Sequence, residues 1–175
     1  MRGRTFTGYR GTLKVTLNNG RVITTREYDN EGTRDLGTLI MSCLVGNLPG
    51  RDAFPKFINI GSTDPNSTQY WLKRNKSIVS PYIVVPTKQD PANLIGSAKF
   101  TALIRSIDVG EIPNVKEDGK IVLLDGQESS NVLARITASD IWELLQTIRK
   151  DSNYSATLEW TLELYNGKPE VTNGQ

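Results

Sequence analysis

The chain has 175 residues, a net charge of +2 (21 Lys and Arg against 19 Asp and Glu), one cysteine and no histidine. This length predicts one domain that buries roughly 70% of its unfolded surface without a metal or disulfide staple. The absence of histidine removes the commonest general base and metal ligand. A lone cysteine excludes an intrachain disulfide or a thiolate zinc site, and the charge is too small to argue for nucleic acid.

No apolar run approaches the roughly 20 residues of a membrane-spanning helix. The N-terminus, M-R-G-R-T-F-T-G, has basic residues but no apolar h-region, so no signal peptide is expected. Together with the single Cys43 this suits synthesis in a reducing cytosol. The charge is uneven. Residues 1–34 hold seven Arg and Lys against three Asp and Glu, a local +4, and the remainder is −2. Residues 1–9 are expected to form a basic arm, with Arg2 and Arg4 able to meet an acidic partner.

Residues 10–18 (R-G-T-L-K-V-T-L-N) alternate, with Leu13, Val15 and Leu17 on one face. Asn18-Asn19-Gly20 leads into a second strand-like run at residues 21–28, the pattern of a β-hairpin. Gly32-Thr33 then opens a helix whose apolar stripe is Leu36, Leu39, Ile40, Cys43 and Leu44. Thr33 fits its N-cap, and Gly46 with Pro49 its end. Cys43 lies on the stripe and reads as core, not as a nucleophile.

Residues 57–60 predict a short strand, followed by a polar loop at 61–68. Residues 69–79 fit no single pattern; Tyr70, Trp71 and Leu72 would start a strand if one formed there. Residues 82–85 are strand-like and 86–96 a loop. A long strand is expected over 98–109, then a loop at 110–119 and short strands at 120–124 and 131–136. The second helix spans about 139–150, with Ile141, Leu144, Leu145 and Ile148 as its stripe and Thr137 or Ser139 as cap. Arg149 and Lys150 complement the dipole of its last turn.

Residues 156–166 (A-T-L-E-W-T-L-E-L-Y-N) carry the firmest pattern. Leu158, Trp160, Leu162 and Leu164 alternate with Thr and Glu, so one face is core and the other wet. Its expected partners are the strands at 99–109 and 131–136, with Trp160 buried between sheets. Residues 167–175 are expected to be a flexible tail. The fold class that follows is mainly β: an antiparallel β-sandwich with an N-terminal hairpin and two amphipathic helices on its edges.

Chemistry is sparse. The carboxylate pairs Asp29/Glu31 and Glu117/Asp118 flank turns, where acidic residues serve solvation, and neither has the spacing of a calcium loop. No glycine-rich phosphate loop or Gly-x-Ser-x-Gly elbow is present. The acceptor patterns at Asn66, Asn75 and Asn153 read as chance matches. Trp160 reads as core and Trp142 as packing. Trp71, beside Tyr70, Lys73 and Arg74, reads as the best surface aromatic. No catalytic residue, metal or cofactor is expected. The interface candidates are Arg2, Arg4, Tyr70, Trp71, Lys73 and Arg74.

Two blocks carry a family resemblance. The first is residues 11–46, with the Asn-Asn-Gly turn and the helix L-G-T-L-I-M-S-C-L-V-G. The second is residues 99–166, with F-T-A-L-I, L-L-D-G, N-V-L-A-R-I and L-E-W-T-L-E-L-Y-N. Their order resembles small virion proteins of tailed bacteriophages, including the N-terminal region of tail-collar fibre proteins. Residues 120–124, K-I-V-L-L, stand where the collar pattern carries Glu-x-Gly-Leu. The resemblance implies a globular attachment unit without a fibre shaft. It would be a capsid-decorating, head–tail junction or tail protein, made in the host cytoplasm and located in the virion. Its partners would be copies of itself and other virion proteins, with no nucleic acid, membrane or small-molecule substrate. The long polar loops at 47–56, 61–68, 86–96 and 110–119 would find their partners in such an assembly. A carbohydrate- or receptor-binding module using Tyr70 and Trp71 is the alternative, and a hydrolase using turn carboxylates ranks last.

Overall fold

The computed structural model describes residues 7–44, 55–64, 70–125 and 132–167. In chain order the elements are β1 (Thr7–Asn18), β2 (Ile23–Asp29), β3 (Glu31–Gly32), α1 (Arg34–Leu44), β4 (Phe57–Ser62), β5 (Lys76–Ser77), β6 (Val79–Val84) and β7 (Leu94–Arg105). A 3₁₀ turn (Ser106–Asp108), β8 (Gly119–Leu124), β9 (Val132–Ala138), α2 (Asp140–Lys150) and β10 (Ser155–Asn166) follow. The chain is mainly β. Two antiparallel sheets run in the orders β2-β1-β10-β7-β6 and β3-β9-β8-β4-β5. One buried apolar cluster draws on both sheets and on α2.

The alternation of residues 156–166 sets the first sheet. Leu158 and Trp160 lie opposite Val15 and Leu13 of β1 on one side, and opposite Ala102 and Phe100 of β7 on the other. All these side chains are buried. The expected partnership with residues 131–136 is corrected: β9 belongs to the second sheet, and β1 takes its place. β1 and β10 match along their whole length, from Thr7 opposite Asn166 to Asn18 opposite Ser155. Period-two patterning tells which face is buried, but not which strand lies alongside.

β1 starts at Thr7, so residues 7–9 are part of the sheet and not of a basic arm. β2 starts two residues later than its sequence pattern because Asn19 captures the turn. The Asn19 side-chain oxygen accepts from the N–H groups of Arg21 and Val22, and Gly20 takes φ 87°. Where the pairing of β1 with β2 ends, the missing Cβ of Gly11 makes room for the Asn30 carboxamide. Asn30 in turn accepts the Tyr9 hydroxyl at 2.9 Å, and burial pushes the Tyr9 pKa up to about 12. A Gly11→Ala methyl would collide with that carboxamide. We expect a loss of about 2 kcal/mol in urea unfolding, as for other overpacked sites, and partial rescue when Asn30→Ala is added. A Gly11→Ala variant as stable as the parent would contradict this packing.

Thr33 caps α1: its hydroxyl accepts the Leu36 N–H at 3.4 Å, and its own N–H reaches Leu133 O in β9. Leu36 is buried, and Leu39 and Ile40 are half-buried against the core. The side chains of Cys43 and Leu44, and all of Gly46 and Pro49, lie outside the described residues. In α2 the stripe Ile141, Leu144, Leu145 and Ile148 is fully buried. Its expected hydroxyl cap is not made, because Ser139 sits at the N-cap with helical backbone and no side-chain capping bond. Asp140 supplies first-turn charge instead. It accepts the Tyr28 hydroxyl at 2.9 Å and pairs with Arg26 at 3.1 Å, tying the helix to β2. Trp142 donates its indole N–H to Pro113 O at 2.9 Å, which anchors the loop ahead of β8.

β7 begins at Leu94 and stops at Arg105, so the expected strand at residues 98–109 is shifted. The stop has a cause. Asp108 Oδ2 accepts the Arg105 N–H at 2.8 Å and turns the chain into the 3₁₀ segment, while Asp108 Oδ1 holds Lys76 Nζ at 3.0 Å. Burial alone would raise the Asp108 pKa, but the Arg105 N–H and the Lys76 ammonium outweigh it and hold the carboxyl below its ordinary value. A depressed folded pKa stabilises above the unfolded value of about 4, and that stability is lost as pH falls through the folded value. Asp108→Asn should therefore lower the melting temperature at neutral pH and flatten its decline on acidification. Parallel pH–stability curves for the two proteins would count against this role.

Candidate functional site

The residues singled out between 70 and 74 do not form one surface. The segment crosses the molecule through two bridges, Gly61 with Tyr70 and Leu72 with Val109. The Trp71 N–H donates to Ile60 O at 2.8 Å, the Gly110 N–H to Trp71 O at 2.7 Å, and the Lys73 N–H to Asp108 O at 2.9 Å. Tyr70 and Trp71, neighbours in sequence, lie in opposite surroundings. Tyr70 is 66% exposed and Trp71 is 0% exposed. Trp71 as a surface aromatic is thereby corrected. Its ring packs over Gly119, inside the core that Ile141 shares.

What remains at the surface is a groove of about 660 Å³. Leu72, Val109 and Gly110 line it together with Tyr70, Lys73, Glu111 and Arg149. Among the described residues, neither Lys73 nor Arg149 takes part in an ion pair. The groove thus offers an exposed phenol ring, two cations, one carboxylate and an apolar floor. Such a surface can hold a hydroxylated or anionic group. Of the interface candidates, Tyr70 and Lys73 both line the groove. Arg74 is exposed but does not line the groove, and Arg2 and Arg4 lie outside the described residues. Arg149 had no signal beyond its place in the last turn of α2, because its groove neighbours come from distant segments of the chain.

The carboxylates considered for catalysis give no cluster. Asp29, Glu117 and Asp118 are exposed, and the Glu31 side chain lies outside the description. Among the described residues no group of three His, Cys, Asp or Glu side chains could hold a metal. No helix among them is long and apolar enough to cross a membrane.

Two apolar features complete the surface. A cavity of about 450 Å³ lies between α1 and the inner face of the first sheet, where Leu36, Leu39 and Ile40 meet Phe100, Leu162 and Leu164. Beside it, the edge strand β6 leaves Val79, Tyr82 and Ile83 exposed, with Val85 just beyond. No protein-family model, curated protein or solved structure matches the chain.

Proposed function

We propose that the chain is a non-catalytic structural protein of a bacteriophage virion: a capsid-decorating, head–tail junction or tail component. It works through contacts between its own copies and with other virion proteins. In this reading the two sheets form a β-sandwich, β1 and β2 are its N-terminal hairpin, and the helices close its edges. The observation that carries the reading is the apolar surface along β6. Exposed apolar side chains on a sheet edge are what contact with a neighbour would cover. The resemblance of residues 11–46 and 99–166 to small phage virion proteins supports the same reading. Gene deletion tests it. Phage lacking the chain should yield absent or malformed particles, restored when the chain is supplied in trans. Normal, infectious particles without it would overturn the reading.

The groove at Tyr70 favours a second reading, a carbohydrate- or receptor-binding module of the virion. Its test is a glycan array probed with the parent protein and with Tyr70→Ala, since Trp71 is core and its loss would confound folding with binding. Binding that disappears with Tyr70→Ala would favour this reading, and a blank array with the parent would remove its carbohydrate form.

A further inference from the structure

The four outer strands of the two sheets are not alike. β2 carries Arg26, Glu27 and Asp29, and β5 carries Lys76. Charges on an edge discourage another chain from pairing there. β6 carries none. Residues 78–86 read I-V-S-P-Y-I-V-V-P, nine positions without a charge. Within them Ile83 is 79% exposed and Val85 76% exposed.

The pairing that this edge permits is narrow. Among the described residues β6 meets β7 on one side only, and hydrogen bonding in an antiparallel ladder alternates, so backbone N–H and C=O groups on its other side have no strand partner among them. Pro81 has no N–H and sits where the register shifts between Val79 and Tyr82. Pro86 ends the run on the other side. Residues 82–85 are what remains for pairing.

The absence of charge suits a second copy as the partner. A two-fold contact sets each residue near the axis against its own symmetry mate, so any charge there would meet itself. An uncharged edge is free of that penalty. Ile83 also lines the apolar cavity beneath α1, so the apolar surface continues from the edge strand inward. We propose that β6 pairs antiparallel with β6 of a second copy across a two-fold axis at Ile83, joining two five-stranded sheets into one of ten strands. Ile83 then faces Ile83, and Tyr82 faces Val84. This deepens the assembly reading and rests on it for the expectation that copies meet.

Sedimentation velocity across the micromolar range tests the contact with the parent, Ile83→Lys, Ile83→Glu and an equimolar mixture of the two variants. The parent should sediment as a dimer. Each variant should be monomeric, its dimer weakened about a hundredfold or more by like charges at the axis. The mixture should recover dimers, because Lys then faces Glu. Both variants should keep a cooperative melt, below the parent only by the stabilisation that dimerisation adds at the concentration used, since position 83 is 79% exposed. Thr25→Lys on the opposite edge should leave the dimer intact. A monomeric parent, a dimer indifferent to position 83, or a mixture that stays monomeric would each overturn the proposal. A dimer indifferent to position 83 leaves the virion reading standing, because that reading falls only if particles form normally without the chain.

Discussion

Replacing Trp71 with alanine should cost the fold about 3–5 kcal/mol, the range for truncating a large buried aromatic. A domain of ordinary stability has only about 5–15 kcal/mol in total, so the variant should be near the limit of folding at growth temperature. Trp71 is fully buried beside Gly119 of β8, where Ile141 of α2 also packs, the place where the second sheet meets the helix. Among the described residues its indole N–H has no hydrogen-bond partner. Trp71→Phe therefore gives up volume but no hydrogen bond, and should cost clearly less than alanine. Urea unfolding measures both, with a lower midpoint and an unchanged slope as the signature of lost stability. If Trp71→Ala costs under about 1 kcal/mol, within the reach of surface substitutions, the ring is not where the structure places it.

The second large effect is expected at Gly119. A Cβ there would lie 2.6 Å from Ile141 Cγ2 and 2.7 Å from Trp71 Cζ3. Both neighbours are fully buried, so neither can swing into solvent to make room. Gly119→Ala should destabilise by about 3 kcal/mol, the upper part of the range for overpacking, and lower the melting temperature by about 6–12 °C for a chain of this size. Because the clash is partly with Trp71, the two substitutions should not add. In the Gly119→Ala, Trp71→Ala double variant, the added methyl enters space the ring has left, so the combined loss falls short of the sum. Strict additivity would show that the two residues do not touch.

Local periodicity made some of this legible in the sequence. The Leu158–Trp160 alternation and the Ile141, Leu144, Leu145 and Ile148 stripe are patterns of one element against one core, and the structure buries those residues. Asn19 and Gly20 announce a turn by their own chemistry, although the side-chain bonds of Asn19 lengthen it to include Arg21 and Val22. Relations between elements carried no such mark. That β10 lies beside β1 and not β9 depends on matching length and on packing across more than 100 residues of chain. Trp71 reads as exposed because Lys73 and Arg74 are near in sequence, yet a single step along the chain separates the exposed Tyr70 from the buried Trp71. The groove at Tyr70 needs Arg149 from α2 and Glu111 from the loop after the 3₁₀ turn. Spacing does not record such a meeting. The uncharged run at residues 78–86 was visible, but its position on a sheet edge was not.

The proposed role as a structural part of a phage particle has a direct test in quantitative mass spectrometry of gradient-purified particles, made by a phage that carries the gene. The chain is expected in the particle fraction at a fixed ratio to the major capsid protein, retained after repeated purification. Its absence from particles, with the chain abundant in the same infected cells, would contradict the claim.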